Sequence, residues 1–144
     1  MGPAGSVAMA CAAPFFRGEN EMPELTIDAF IDFFKALWDR APFAWQMDLA
    51  ERVLGNDTSP WPGAVALPTA SGKTACMDIA VYSLAAQAGR LGTSRVLTAP
   101  RRIFFVVDRR VIVDEAYHRA KSLAGMLRAA KQGILKEVAN RLRH

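Results

Sequence analysis

The sequence predicts an α/β fold with parallel strands, preceded by an N-terminal helical segment. Three observations predict it. Two short apolar runs, residues 64–67 and 103–107, suit buried strands. Each is followed by a stretch with helical spacing, and strand–helix–strand–helix order implies a parallel sheet with right-handed crossovers. Between the first run and its helix lies Leu67-Pro68-Thr69-Ala70-Ser71-Gly72-Lys73-Thr74, which reads as a phosphate-binding loop.

The elements follow in order. Residues 1–22 are small-residue-rich and apolar, and read as a disordered tail or as sequence upstream of the true start. Met22-Pro23-Glu24 is an alternative start, because patterned sequence begins there. Residues 23–144 form the patterned domain. Thr26 is placed as an N-cap, with Asp28 in the first turn where the helix dipole favours an anion. Phe30, Phe33, Phe34, Leu37 and Trp38 then recur at helical spacing. Arg40-Ala41-Pro42 breaks that helix, and a second runs from Phe43 or Trp45 to Leu54, ended by Gly55-Asn56. Residues 55–63 read as a loop.

Residues 64–67 form the first expected strand, and 73–88 the helix after the loop, ending at Gly89. Residues 90–100 connect to Ile103-Phe104-Phe105-Val106-Val107, the strongest strand signal, apolar on both faces as a central parallel strand is. A long helix follows from Arg109 or Arg110 to Lys131, with Val113, Ala116, Ala120, Leu123, Ala124 and Leu127 on its buried side. Gly133 interrupts it, and residues 134–142 suit a last helix. Two parallel strands do not complete a doubly wound sheet, so the chain reads as the beginning of a larger domain.

Composition narrows the function. The 144 residues suffice for one core. No apolar run approaches the roughly 20 residues needed to span a bilayer. The cysteines, Cys11 and Cys76, form no Cys-x-x-Cys pair, and His118 and His144 are isolated. A zinc site or disulfide framework is disfavoured, and a reducing cytoplasm fits. Charge is uneven: residues 1–60 carry a net −5 and residues 61–144 a net +9. The second half could face phosphate, as nucleotide or as nucleic acid; a solvated helix face explains the C-terminal part equally well.

The loop carries the chemistry. A strand, a tight loop and a helix N-terminus together aim N–H groups and the helix dipole at an anion. Lys73 would reach the β/γ-phosphates and Thr74 would offer its hydroxyl to Mg²⁺. The usual opening glycine is replaced by Leu67, and Ala70 stands where glycine is more common. The bland alternative is a polar turn with Thr69 or Ser71 as N-cap. Upstream, Pro42-Phe43-Ala44-Trp45-Gln46 offers a glutamine amide, whose donor and acceptor match the adenine edge, beside aromatic rings.

Together these residues resemble the start of a superfamily 2 helicase of the DEAD/DEAH-box type, whose fold implies part of a RecA-like P-loop NTPase domain. Phe43 and Gln46 match the adenine-reading motif, and Pro68, Thr69, Ala70, Ser71, Gly72, Lys73 and Thr74 match motif I. Residues 107–115 align with motif Ia, which closes on one nucleic-acid strand; Arg110 takes the motif arginine, with Arg109 beside it, while Asp108, Arg109 and Glu115 depart from the usual proline, threonine and glutamine. A narrower resemblance, over about residues 24–130, is to the CRISPR-associated helicase of type I systems, in variants that begin directly with the helicase. It implies ATP and Mg²⁺ as cofactors, single-stranded DNA as partner, a CRISPR effector complex as a further partner, and translocation during degradation of invading DNA.

Val113-Asp114-Glu115-Ala116-Tyr117-His118 imitates an acid box but lies within a helical pattern, so it is rejected. Asp108 ends a strand pattern and is the better metal-site carboxylate, although the family's acid pair comes later. Since the chain stops at His144, before those carboxylates, the expectation is weak ATP binding at best and no useful hydrolysis. Two other classes stay open: a small P-loop NTPase or kinase using Asp108, and a nucleic-acid-binding module without catalysis.

Overall fold

The computed structural model describes residues 24–55, 61–68, 70–88, 99–104, 106 and 110–143. Aromatic residues at helical spacing organise its centre. Helix α1 (Ile27–Trp38) opens on Thr26, whose hydroxyl accepts from the Ala29 N–H at 3.3 Å, with Asp28 in the first turn. It closes on Asp39, whose backbone is left-handed and whose N–H donates to the Lys35 carbonyl. Its inner face buries Phe30, Phe33, Phe34 and Leu37. Each such side chain contributes about 1.5–3 kcal/mol by leaving water.

Helix α2 (Ala44–Gly55) buries Leu49, Ala50 and Val53. After residues 61–68 and the loop, a 3-10 turn (Lys73–Ala75) leads into α3 (Cys76–Ala88). Helix α3 is the most enclosed element. It packs against α2 and α5 (Gly133–Arg141), while α1 packs against α2 and α5. Tyr82 of α3 lies among the α1 phenylalanines, its ring centroid 5.3 Å from Phe30 and 5.1 Å from Phe33. Its hydroxyl donates to the Thr26 carbonyl at 2.8 Å, so one side chain ties α3 to the start of α1. Burial pushes that phenol's pKa up. Helix α4 (Arg110–Ala129) packs on α5 and buries Ala116, Leu123 and Leu127.

The structure corrects the expected fold class. Among the described residues there is no strand, hence no parallel sheet and no RecA-like core; the architecture is all-helical. Residues 64–67 are neither helix nor strand and are mostly exposed. In the second expected strand, Phe104 is 80% and Val106 is 90% exposed. The reason is physical. A parallel strand is stable when neighbours satisfy its N–H and C=O groups and helices cover both faces. Here the helices bury their apolar faces on one another, and nothing in the described structure pairs with either run.

The helices themselves lie close to their predicted bounds. The expected 73–88 helix is present as the 3-10 turn plus α3, and the expected 134–142 helix starts one residue earlier, at Gly133. The long helix begins at Arg110 and stops at Ala129. The tail 1–22, Cys11, Thr69, Gly89, residues 90–98, Phe105, Val107, Asp108, Arg109 and His144 lie outside the described residues.

Candidate functional site

Two segments distant in sequence meet at the loop. Gly72 takes the left-handed conformation (φ +74°) that starts the 3-10 turn, and the Ala75 N–H donates to its carbonyl at 3.0 Å. Ala70 also has positive φ, +62°. Lys73 folds back over the loop: its Nζ donates to the Leu67 carbonyl at 2.9 Å and to the Pro68 carbonyl at 2.6 Å. Ser71 Oγ donates to the same Pro68 carbonyl at 2.7 Å. An ammonium has three donors, so the third remains for an incoming anion.

The Phe43–Gln46 segment braces this loop from α2. Gln46 is only 1% exposed. Its Oε1 accepts from the Phe43 N–H at 2.9 Å, and its Nε2 donates to the Gly72 carbonyl at 3.2 Å. Trp45 Nε1 donates to the Ser71 carbonyl at 2.8 Å. The half-exposed Phe43 ring lies against Gly72, and the Arg40 guanidinium sits 5.9 Å from its centroid. The structure thus brings Phe43, Gln46, Ala70, Ser71, Gly72 and Lys73 into one neighbourhood, with Pro68 and Thr74 flanking in sequence. Arg110 is exposed at the start of α4 and pairs with Asp114 at 3.9 Å, also exposed. Asp114 therefore lies on a helix, as its pattern implied.

The Trp45 bond was not read from the sequence. The signal was present: an indole one residue from Gln46 needs a partner for its N–H when it packs inside. The other unforeseen group is a buried ion pair. Asp78, fully buried on α3, accepts from Arg119 Nε of α4 at 3.0 Å and also from a terminal nitrogen of that guanidinium. Both bonds fall on Oδ2; Asp78 Oδ1 and Trp38 Nε1 are buried without a hydrogen-bond partner among the described residues. The Arg119 guanidinium stacks 4.0 Å from the Trp38 centroid. Burial raises the Asp78 pKa above the ordinary carboxylate value, and Arg119, Trp38 and Arg40 oppose the rise. A charged residue within each of two apolar helix faces was the available signal. Burial, then the Asp78 charge, pushes the Cys76 thiol up, away from reactivity.

For a nucleoside triphosphate the fit is one of phosphate binding. A lysine, a left-handed glycine and a helix N-terminus stand together, as an anion site needs. For Mg²⁺ the fit is thinner. Among the described residues no group of three or more His, Cys, Asp or Glu could hold a metal, and Asp78 is committed to Arg119. Mg²⁺ commonly takes one or two protein ligands plus substrate phosphates, so Thr74 would serve with the nucleotide supplying the rest.

Comparison with protein-family models, with curated proteins and with solved structures finds no match. No helix among the described residues is long and apolar enough to cross a membrane.

Proposed function

We propose that this chain binds ATP at the 67–74 loop and serves an ATP-dependent DNA helicase or translocase, in DNA degradation linked to a CRISPR system. One observation carries the nucleotide part. Gln46 joins Phe43 to Gly72 through a single buried amide, although the two segments lie 26 residues apart. The two stretches whose sequences suggest nucleotide recognition are therefore neighbours in space. The DNA part rests on the sequence resemblance.

The residues would work as follows. Lys73 would leave the Leu67 and Pro68 carbonyls for the β/γ-phosphates, trading two neutral acceptors for a charged one. The N–H groups of Lys73 and Thr74, which open the turn ahead of the Ala75 and Cys76 N–H groups that bond within it, would face the same anion. Gln46, buried between Phe43 and Gly72, would hold the loop in place, while the half-exposed Phe43 would pack near the base. Mg²⁺, when bound with the nucleotide, would neutralise phosphate charge.

Calorimetric titration with MgATP tests this. Weak binding that Lys73→Ala abolishes is the expected result. No heat up to about 5 mM, where binding would be worth only about −3 kcal/mol, would sink the proposal. Binding indifferent to Lys73 would sink it equally.

A further inference from the structure

Helix α4 leaves much of its apolar stripe uncovered. Val113, Tyr117, Ala120 and Ala124 of α4, with Val81 of α3 and Ile103, line an open groove of about 470 Å³. Val113, Tyr117 and Ala120 are exposed, whereas Leu123 and Leu127 further along the stripe are buried. Phe104 and Val106, which follow Ile103 in the sequence, are exposed as well. Contiguous apolar surface of this kind marks a binding site.

The volume alone would admit a small molecule. Such pockets, however, orient their ligands with a few convergent polar groups, and Tyr117 is the one lining residue with a polar side-chain atom. The groove instead suits the apolar face of a helix, with anchors at i, i+3, i+4 and i+7.

The rim states the partner's charge. At 3.6 residues per turn, Arg110, Lys121 and Arg128 fall within about 20° of one another along one side of the stripe, and all three are exposed. Exposed Arg101 and Arg102 precede the lining residue Ile103 in sequence, and exposed Arg143 follows the lining residue Leu142. Asp114 stands on the Arg110 side and pairs with it. Glu115 projects from the far side of α4. The border is therefore strongly basic. A second copy placed symmetrically in this groove would set basic rim against basic rim, which costs affinity.

We infer that the α3–α4 groove is a docking site for an acidic amphipathic helix of a partner protein. Its apolar stripe would fill the groove between Val81, Ile103 and Tyr117, and glutamates or aspartates flanking that stripe would face Arg110, Lys121, Arg128 and Arg101. The inference does not depend on nucleotide binding, since Lys73 lies outside the groove.

The test uses the whole chain and two labelled peptides of about 18 residues, roughly five helical turns. Both carry leucines at i, i+3, i+4 and i+7; one has glutamates on the flanks, the other lysines. Fluorescence anisotropy reads the affinity. The expected result is at least about tenfold tighter binding of the glutamate peptide, lost in Ala120→Glu and unchanged in Lys73→Ala. The double variant Lys121→Glu/Arg128→Glu, at two exposed positions, should reverse the preference toward the lysine peptide. Equal binding of the two peptides, or binding of neither, overturns the inference. So does a preference that survives the charge reversal. Self-association in sedimentation that Ala120→Glu abolishes would make a second copy the occupant. Single-stranded DNA that displaces the glutamate peptide, and whose own binding Ala120→Glu abolishes, would assign the face to nucleic acid; either result replaces the partner helix.

Discussion

At Gly72 the backbone has φ +74°, and a Cβ placed there would lie 3.0 Å from Gln46 Nε2 and 3.2 Å from a Phe43 ring carbon. Two independent constraints, handedness and close approach, therefore meet at one position. Gly72→Ala should cost about 2 kcal/mol, from left-handed strain of about 1–2 kcal/mol plus displacement of Gln46. Ala70 shows the converse, at φ +62° with a side chain present. Ala70→Gly should raise stability by about 0.5–1 kcal/mol, the relief of strain outweighing the greater freedom of glycine when unfolded. Urea unfolding midpoints check both; a stabilising Gly72→Ala or a destabilising Ala70→Gly would contradict the loop geometry. At this scale much was legible. Gly72, Lys73 and Gln46 stood out by residue type and spacing, and Thr26 caps α1 as its type implies. That Gln46 is buried was not legible, because nothing in a glutamine's neighbourhood along the chain tells which carbonyl its amide will meet.

The link between α3 and α4 is an ion pair rather than an apolar seam, and that makes the pairing of these elements dependent on pH. Asp78 has its pKa raised by burial, so the folded state holds its proton more tightly than the unfolded state does. Stability from this group is then fully present below the ordinary carboxylate pKa and is lost as pH rises through the raised one. Arg119 limits that loss. Arg119→Met should cost about 3–5 kcal/mol at neutral pH, the usual penalty for stranding a buried charge, and less at mildly acidic pH, where Asp78 can take a proton instead. Denaturation of both proteins between about pH 4.5 and 7.5 reads this; a penalty independent of pH would show that Asp78 stays neutral throughout. Element existence was legible where period and burial agree. Helices α1, α2, α4 and α5 repeat their apolar residues at 3.6-residue spacing, and those faces found partners except along the first turns of α4. The two expected strands were read from apolar runs alone. Composition says that such a run wants burial; it does not supply the neighbouring strand that would make burial as a sheet possible.

Across the whole molecule, stability should be graded from the aromatic centre outward. Phe30, Phe33 and Tyr82 pack on one another with no access to water, and the helices carrying them, α1 and α3, both contact α2 and α5. Opening their amides requires breaking the shared core, so these should exchange hydrogen only through global unfolding. Helix α4 divides along its length. Its first turns, with Val111, Ile112 and Val113 exposed, have little to lose by fraying, whereas Leu123 and Leu127 are held against the core. The expected exchange order is therefore residues 103–106 first, then the N-terminal turns of α4, then its C-terminal turns, and last α1 and α3. Native-state exchange read by mass spectrometry gives that order directly. The decisive segment is 103–106. Ile103, Phe104 and Val106, its described residues, belong to no helix or strand, so their amides should exchange at close to the rate of an unfolded peptide. Protection there equal to that of α1 would mean that the apolar run is hydrogen-bonded into a sheet in solution, and the all-helical architecture would have to give way. If exchange at 103–106 is fast but slows on adding the glutamate-flanked peptide, the exposed run and the α3–α4 groove act as one apolar surface awaiting cover.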